Sequence, residues 1–202
     1  MRLAFRPLTP ERWADLEALF GPDKGANSGC WCMWWRLTRS VWDDMGKARR
    51  KAAFRRIVGS NEVPGLLAYG DGEPIGWCAI APRRASPSLE RSRVTAAVDR
   101  APVWSITCFY IDPAFRRRGL MRRLIEAATD HARRSGARIV EAYPHEPRRR
   151  TGSGEVFTGL ASTFRTCGFV EVARRSPTRP LMRRTLEAQA APSRSSRRAT
   201  RA

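Results

Sequence analysis

The chain has 202 residues, of which 42% are hydrophobic, and a formal net charge of +19 from 38 Lys and Arg against 19 Asp and Glu. That length and apolar content fit one domain with a real core and argue against a disordered chain. No apolar run reaches the ~18 residues of a membrane span, and Met1 to Pro7 has no apolar signal core. The expectation is therefore a soluble cytoplasmic protein with no membrane partner and with its five cysteines reduced.

Leu3 to Leu8 can form a first strand. Thr9-Pro10-Glu11 then reads as a helix start, with an N-cap hydroxyl, proline in the first turn and an acid favoured by the helix dipole. Trp13, Leu16, Leu19 and Phe20 give that helix its apolar stripe, and Gly21-Pro22 ends it. After a loop over 25–29 comes Cys30-Trp31-Cys32-Met33-Trp34-Trp35-Arg36, the most aromatic stretch of the chain. A second helix is expected from about Val41 to Val58. Leu66–Tyr69 and Pro74–Ile80 read as a hairpin around Gly70-Asp71-Gly72-Glu73. Arg83 to Arg100 reads as a loop with a short helix near Leu89.

Val103 to Ile111 is a dense run of β-branched and aromatic residues, so it reads as a largely buried strand. Asp112-Pro113 stops it, because proline gives no N–H to a ladder. A helix follows, with Leu120, Leu124, Ala128 and Ala132 recurring every four residues and Ser135-Gly136 as its cap. Arg138 to Tyr143 is another strand. A basic loop follows over 144–154, then a short helix over 158–167. Phe169–Ala173 and Leu181–Leu186 close the sheet as a hairpin. From Glu187 onward Ala, Ser and Arg dominate and no apolar period survives, so 187–202 is expected to be a disordered tail behind a domain of residues 1–186.

The charge at the start of the helix after Pro113 is informative. A helix N-terminus carries about half a positive charge, and each cation there is disfavoured by ~0.3–1 kcal/mol. Yet Arg116, Arg117, Arg118, Arg122 and Arg123 crowd it. The arrangement is reasonable if an anion sits among them, held by free N–H groups and guanidinium forks. Gly119 would let a phosphate come close to the backbone. The plainer reading is a solvated basic turn, since only Lys24, Lys47 and Lys51 among the cations are not arginine.

Phe109-x-Ile111-x-Pro113-x-x-Arg116-x-x-Gly119-x-Met121 resembles the acyl-CoA signature of the GNAT acyltransferase superfamily. Met121 departs from the small residue usual at the last position. The element order also resembles that family's, over roughly residues 2–186. The resemblance implies an α/β fold with a mixed, mostly antiparallel sheet flanked by helices. It implies acetyl-CoA as acyl donor, with the main chain at Phe109 and Ile111 along the pantetheine arm. The segment Arg116, Arg117, Arg118, Gly119, Leu120, Met121 and Arg122 would wrap the pyrophosphate. The implied activity is N-acetylation of a primary amine, on a small molecule or a protein, by direct attack. Similar Cys- and Trp-rich openings occur in a subset of bacterial GNAT proteins, to which no substrate is assigned.

An alkylamine has a pKa near ~10.4, so its proton must go to a base or to water. Glu141 is the first candidate base, because it lies inside the apolar strand Ile139-Val140-Glu141-Ala142-Tyr143, where a carboxylate is costly unless paired or functional. An ion pair with an arginine is the alternative. His145, just past that strand, is the second candidate. The tyrosine that the family often uses as acid is replaced here by Phe164, leaving Ser162, Thr163, Tyr110, Tyr143 or water. Trp31, Trp34 and Trp35 are candidates for an aromatic acceptor wall, against plain core packing. Cys30 and Cys32 lack a second pair at zinc-site spacing, so no metal is expected. A covalent route through Cys108 meets the objection that buried strand cysteines are usually inert.

Two other functions compete. The charge, Arg148-Arg149-Arg150 and the tail would suit a nucleic-acid-binding protein, but no helix-turn-helix, zinc finger or aromatic–basic ladder is present in the sequence. Phe164 and Met121 would suit an acyl-CoA-binding protein that has lost its chemistry. A homodimer is left open.

Overall fold

The computed structural model describes residues 1–21, 24–60, 62–147 and 156–187. Seven strands form one sheet: β1 (Leu3–Pro7), β2 (Gly65–Gly70), β3 (Glu73–Pro82), β4 (Trp104–Ile111), β5 (Ile139–Ala142), β6 (Val170–Arg174) and β7 (Pro180–Thr185). Their order across the sheet is β1-β2-β3-β4-β5-β7-β6. Every neighbouring pair is antiparallel except β4 and β5, which run parallel. The expected mixed, mostly antiparallel sheet is the one observed.

The helices are α1 (Trp13–Phe20), α2 (Arg39–Asp44), α3 (Lys47–Gly59), α4 (Ser88–Arg91), α5 (Leu120–Arg134) and α6 (Ala161–Thr166). They cover both sheet faces. On one face Leu120, Leu124, Ile125, Ala128 and Ala132 of α5 pack with Ile80, Ile106 and Phe109 of the sheet. These α5 residues fall on one stripe because the helix repeats every 3.6 residues, so they leave water together. On the other face Trp13, Leu16, Leu19 and Phe20 of α1 join Phe54 and Val58 of α3 over Leu67 and Trp77. A smaller cluster of Leu89, Tyr143 and Leu181 lies under α4.

Three local expectations are corrected. Thr9 makes no side-chain hydrogen bond to the backbone of the turn it precedes; its Oγ1 accepts from Arg12 instead, at 3.2 Å. The single helix expected over 41–58 is two, because Met45 and Gly46 are extended, with ψ of 107° and 165°. The helix expected from Thr158 begins only at Ala161. The tail expected to be disordered lies outside the described residues from 188 onward. Among the described residues no helix is long and apolar enough to cross a membrane.

Candidate active site

The site begins where two parallel strands part. β4 and β5 pair only at Trp104, Ser105 and Ile106, opposite Val140, Glu141 and Ala142. On the other side of β4, Ala79 faces Cys108 and Ile80 faces Ile106, so Thr107 is an extra residue. Such a bulge bends its strand and raises its twist, which carries β4 away from β5. Polar backbone groups exposed by the parting need partners. Thr107 carbonyl accepts from Trp35 Nε1 at 3.1 Å. The Phe109 N–H donates to the Phe157 carbonyl at 2.6 Å. The Ile111 carbonyl accepts from Arg116 Nε at 2.9 Å.

A cavity of about 590 Å³ opens between the end of β4, the start of α5 and the start of α6. Phe109, Ile111, Arg116, Arg117, Gly119, Leu120, Met121 and Arg122 all line it. Arg118 does not; its guanidinium lies over the Phe115 ring, 5.7 Å from the centroid. The α5 N-terminus has no side-chain cap and no acid in its first turn. Gly119 has φ +76°, a left-handed conformation costly for other residues. A Cβ built there meets nothing within 4 Å, so the backbone is open to approach. Met121, the departure from the family pattern, packs its side chain against the α5 core. An uncapped helix start ringed by arginines, beside an apolar wall, fits a group with a phosphate end and an organic arm.

A second cavity of about 470 Å³ lies on the opposite side of β4. Trp34, Trp35 and Trp42 form much of its wall, with Phe20, Cys30, Cys32, Cys108, Arg39 and Arg50. Trp34 meets Trp42 edge to face at 4.9 Å, and Trp35 meets Phe157 at 6.5 Å. Trp31, expected with these two, is instead 1% exposed and packed against Trp13 and Phe20 in the core. The backbone there is strained: Trp31 and Cys32 have φ of 44° and 52°. Trp77 Nε1 donates to Cys32 Sγ at 2.9 Å, holding the turn from inside. Cys30 and Cys108 hold their protons. Burial pushes Cys30 up to about 12. A hydrogen bond to Cys32, and then burial, raise Cys108 well above the ordinary thiol value. Among the described residues no group of three or more His, Cys, Asp or Glu side chains is arranged to hold a metal ion.

The two cavities share Phe109, Tyr110 and Phe157. Burial, and then the Asp112 charge, raise the Tyr110 phenol above its ordinary value, so it stays protonated at neutral pH. Ser162 and Thr163 line only the first cavity. Phe164 is fully buried between Phe109 and Phe169, at 6.1 and 5.0 Å.

Glu141, the first candidate base, lines neither cavity. It sits where β4 and β5 are still paired, at 0% exposure. One carboxylate oxygen accepts from Arg83 Nη1 and the Tyr143 hydroxyl, and the other from Arg183 Nε at 2.7 Å. Three donors thus hold the carboxylate in an ion-pair network away from both cavities, which is the arginine-paired alternative to the general-base reading. Tyr143 is committed to the same network and drops out as an acid. His145 also lines neither cavity. Its backbone pairs with the α6 entry, the N–H donating to the Gly159 carbonyl at 2.8 Å and the carbonyl accepting from Ala161 at 2.9 Å. His131 lies edge-on to Trp104 at 5.8 Å, on the far part of α5.

Sequence reasoning missed Phe20, Trp42, Arg50 and Phe157 as walls of the site. Trp42 and Arg50 are eight positions apart on separate helices, and only the break at Gly46 turns them toward each other. No local pattern signals that.

Solved structures with low sequence identity share this fold. An acetyltransferase structure from Acinetobacter baylyi matches with a TM-score of 0.55 and 16% identity over 95% of this chain and 97% of that one. The yncA structure from Salmonella typhimurium, which holds acetyl-CoA, matches at 0.53 and 16% over 96% and 99%. The PaiA N-acetyltransferase of Thermoplasma acidophilum, in complex with coenzyme A, matches at 0.52 and 14% over 92% and 100%. No curated protein matches the chain. The family model of the GNAT acetyltransferases matches residues 31–151, a span that runs from the tryptophan-rich wall through the arginine-ringed start of α5. With that match on the strands and loops that build both cavities, the chain belongs to the GNAT acetyltransferase family.

Proposed function

We propose that the chain moves an acetyl group from acetyl-CoA to the primary amine of an acceptor by direct attack. The observation that carries this reading is the meeting of the two cavities on Phe109, Tyr110 and Phe157. When bound, acetyl-CoA supplies an activated acyl group at a thioester. Arg116, Arg117, Arg122 and the open N–H groups of the first α5 turn hold its phosphates. A pantetheine arm along β4 takes the Phe109 N–H that now goes to the Phe157 carbonyl. Holding both reactants on either side of β4 turns a bimolecular step into a local one.

In the transfer the amine nitrogen bonds to the thioester carbonyl carbon and the carbon–sulfur bond breaks. The amine proton passes to water, because no carboxylate or histidine lines the acceptor cavity among the described residues. The sulfur takes its proton from Tyr110, a residue that lines both cavities. This replaces the tyrosine that Phe164 lacks. Arginine charge serves the donor, so nucleic acid is not needed to explain it.

The test is acetyl-CoA-dependent release of free thiol, measured across amines. Turnover that needs both acetyl-CoA and an amine is expected. Tight binding of acetyl-CoA with no turnover on any amine would instead leave an acyl-CoA-binding protein without chemistry.

A further inference from the structure

The acceptor cavity has a charge opposite to what a cationic acceptor needs. Its described lining includes Arg39 and Arg50 and no carboxylate. Arg39 has a partner, because its Nε donates to Asp43 at 2.8 Å. Arg50 is different. Its guanidinium lies flat on the Trp42 ring, 3.7 Å from the centroid. Two of its nitrogens donate to the carbonyls of Trp42 and Gly29, at 2.7 and 3.4 Å. Its Nε is buried and has no partner. A buried donor on a cation without an acceptor is costly, and Arg50 lines the cavity, where a carboxylate meeting its guanidinium would offset the charge.

The rest of the wall is aromatic. Trp34 stands edge-on to both Trp42 and Trp35, at 4.9 and 6.5 Å. Flat faces and edges at these distances receive a planar ring at offset-stacked or edge-to-face geometry. A polyamine would bring charge toward two arginines with no acid to meet it.

We infer that the acceptor is a carboxylated aromatic amine: a molecule with a planar ring, a carboxylate and the amine to be acetylated. The ring lies among the tryptophans, the carboxylate meets Arg50, and the amine points across β4 to the donor. Aminobenzoates and aromatic α-amino acids share this chemistry. The inference rests on the acetyl-transfer reading of the two cavities. The transfer itself is balanced as before: a nitrogen–carbon bond replaces the carbon–sulfur bond, one proton leaves the nitrogen and one reaches the sulfur.

The experiment measures kcat/KM for thiol release from acetyl-CoA with 4-aminobenzoate, phenylalanine and tryptophan, with their uncharged-tail counterparts aniline, phenethylamine and tryptamine, and with spermidine. At least one carboxylated amine should exceed its counterpart by about tenfold or more, the order that one charge-assisted hydrogen bond supplies. Whether the aminobenzoate or the amino acids show that ratio identifies the source. Arg50→Gln should bring the ratio close to one, with folding checked by melting temperature. If Arg50→Gln fails to fold, the wild-type ratio and its fall with rising salt decide the matter. Preference for spermidine, or equal rates with and without the carboxylate, would overturn the inference. So would no turnover of any carboxylated amine while acetyl-CoA still raises the melting temperature. Those outcomes leave the acetyl-transfer reading standing, whereas loss of the acetyl-CoA effect itself would strike that reading.

Discussion

Glu141 and Arg83, 58 positions apart in the chain, form an ion pair in the protein interior, with Glu141 fully buried. Arg183 closes the other side of the carboxylate at 2.7 Å and reaches Asp99 at 2.6 Å. Arg83 also holds Glu90 and the Thr95 carbonyl. One carboxylate thus ties the loop over 83–100 to the inner strands of the sheet. Removing one partner of a buried pair leaves the others uncompensated and costs about 3–5 kcal/mol. Glu141→Gln should therefore lower the melting temperature by about 10 °C in a chain of this size. Turnover measured well below that temperature should stay within about twofold of wild type, since the network touches neither cavity. A stable variant that loses about 10²-fold in kcat would restore Glu141 as a base.

The rim of the same network makes an acid-side forecast. Hydrogen bonding from Arg83 lowers the Glu90 carboxyl, and that from Arg183 lowers Asp99. Both bind protons less readily folded than unfolded. Their stabilisation is complete above the ordinary carboxylate range near ~4 and is lost as pH falls through the lower folded values. Melting temperature against pH should fall below about pH 4, and less steeply in Asp99→Asn. A flat profile would mean these exposed partners contribute nothing.

The raised thiols argue against a covalent acyl-cysteine step. A thiolate is the nucleophile, and Cys30 and Cys108 are both held as thiols well above neutral pH. Intact-mass measurement after rapid quench with acetyl-CoA and no amine should give no acetylated protein. Alkylation of these two by iodoacetamide at pH 7 should be slower than for a free thiol. An acetyl adduct on Cys108 that forms and decays at the turnover rate would contradict direct attack.

Tyr110 is expected to act at sulfur. Tyr110→Phe should lower kcat by about 10²–10⁴-fold, the range for a positioned acid. The acetyl-CoA effect on melting temperature should remain, because the ring stays. Unchanged turnover would give the proton to water or to Ser162 or Thr163.

β7 is the last strand among the described residues, and after it the Leu186 N–H donates to the Arg138 carbonyl at 2.8 Å. We propose that residues 187–202 stand outside the catalytic domain, on their composition. Deleting them should keep turnover within about twofold. A collapse of activity with the same melting temperature would show that the tail covers donor or acceptor.

The parts of the fold that were legible in the sequence are those with strong local periods. α5 was legible because Leu120, Leu124, Ala128 and Ala132 share one stripe, and β4 because its run from Trp104 to Ile111 is almost wholly β-branched or aromatic. Part of the first cavity's lining lies in one stretch, from Phe109 to Arg122, and the rest comes from Val156 to Thr166. The acceptor cavity was legible only through Trp34 and Trp35. Trp31 looked equivalent in sequence, but its left-handed backbone turns it into the core, and a strain held by Trp77 from across the fold has no local signature. Glu141 stands out in the sequence as a carboxylate in an apolar strand. Its two arginines come from a distant loop and from the neighbouring β7, so sequence spacing could not tell a pair from a base.

The central claim is that acetyl-CoA binds where arginines ring the uncapped start of α5. Thermal melting with acetyl-CoA, for wild type and Gly119→Glu, tests it most directly. Ligand at about 100 times its dissociation constant adds about 2.7 kcal/mol, a rise of about 5–10 °C for a chain of this length. The variant places a side chain with negative charge on a left-handed position that is open to approach. It should melt lower by itself, by the about 1–2 kcal/mol of backbone strain, and should show no rise when acetyl-CoA is added. A wild type that does not respond to millimolar acetyl-CoA, or a variant that responds equally, would contradict the account.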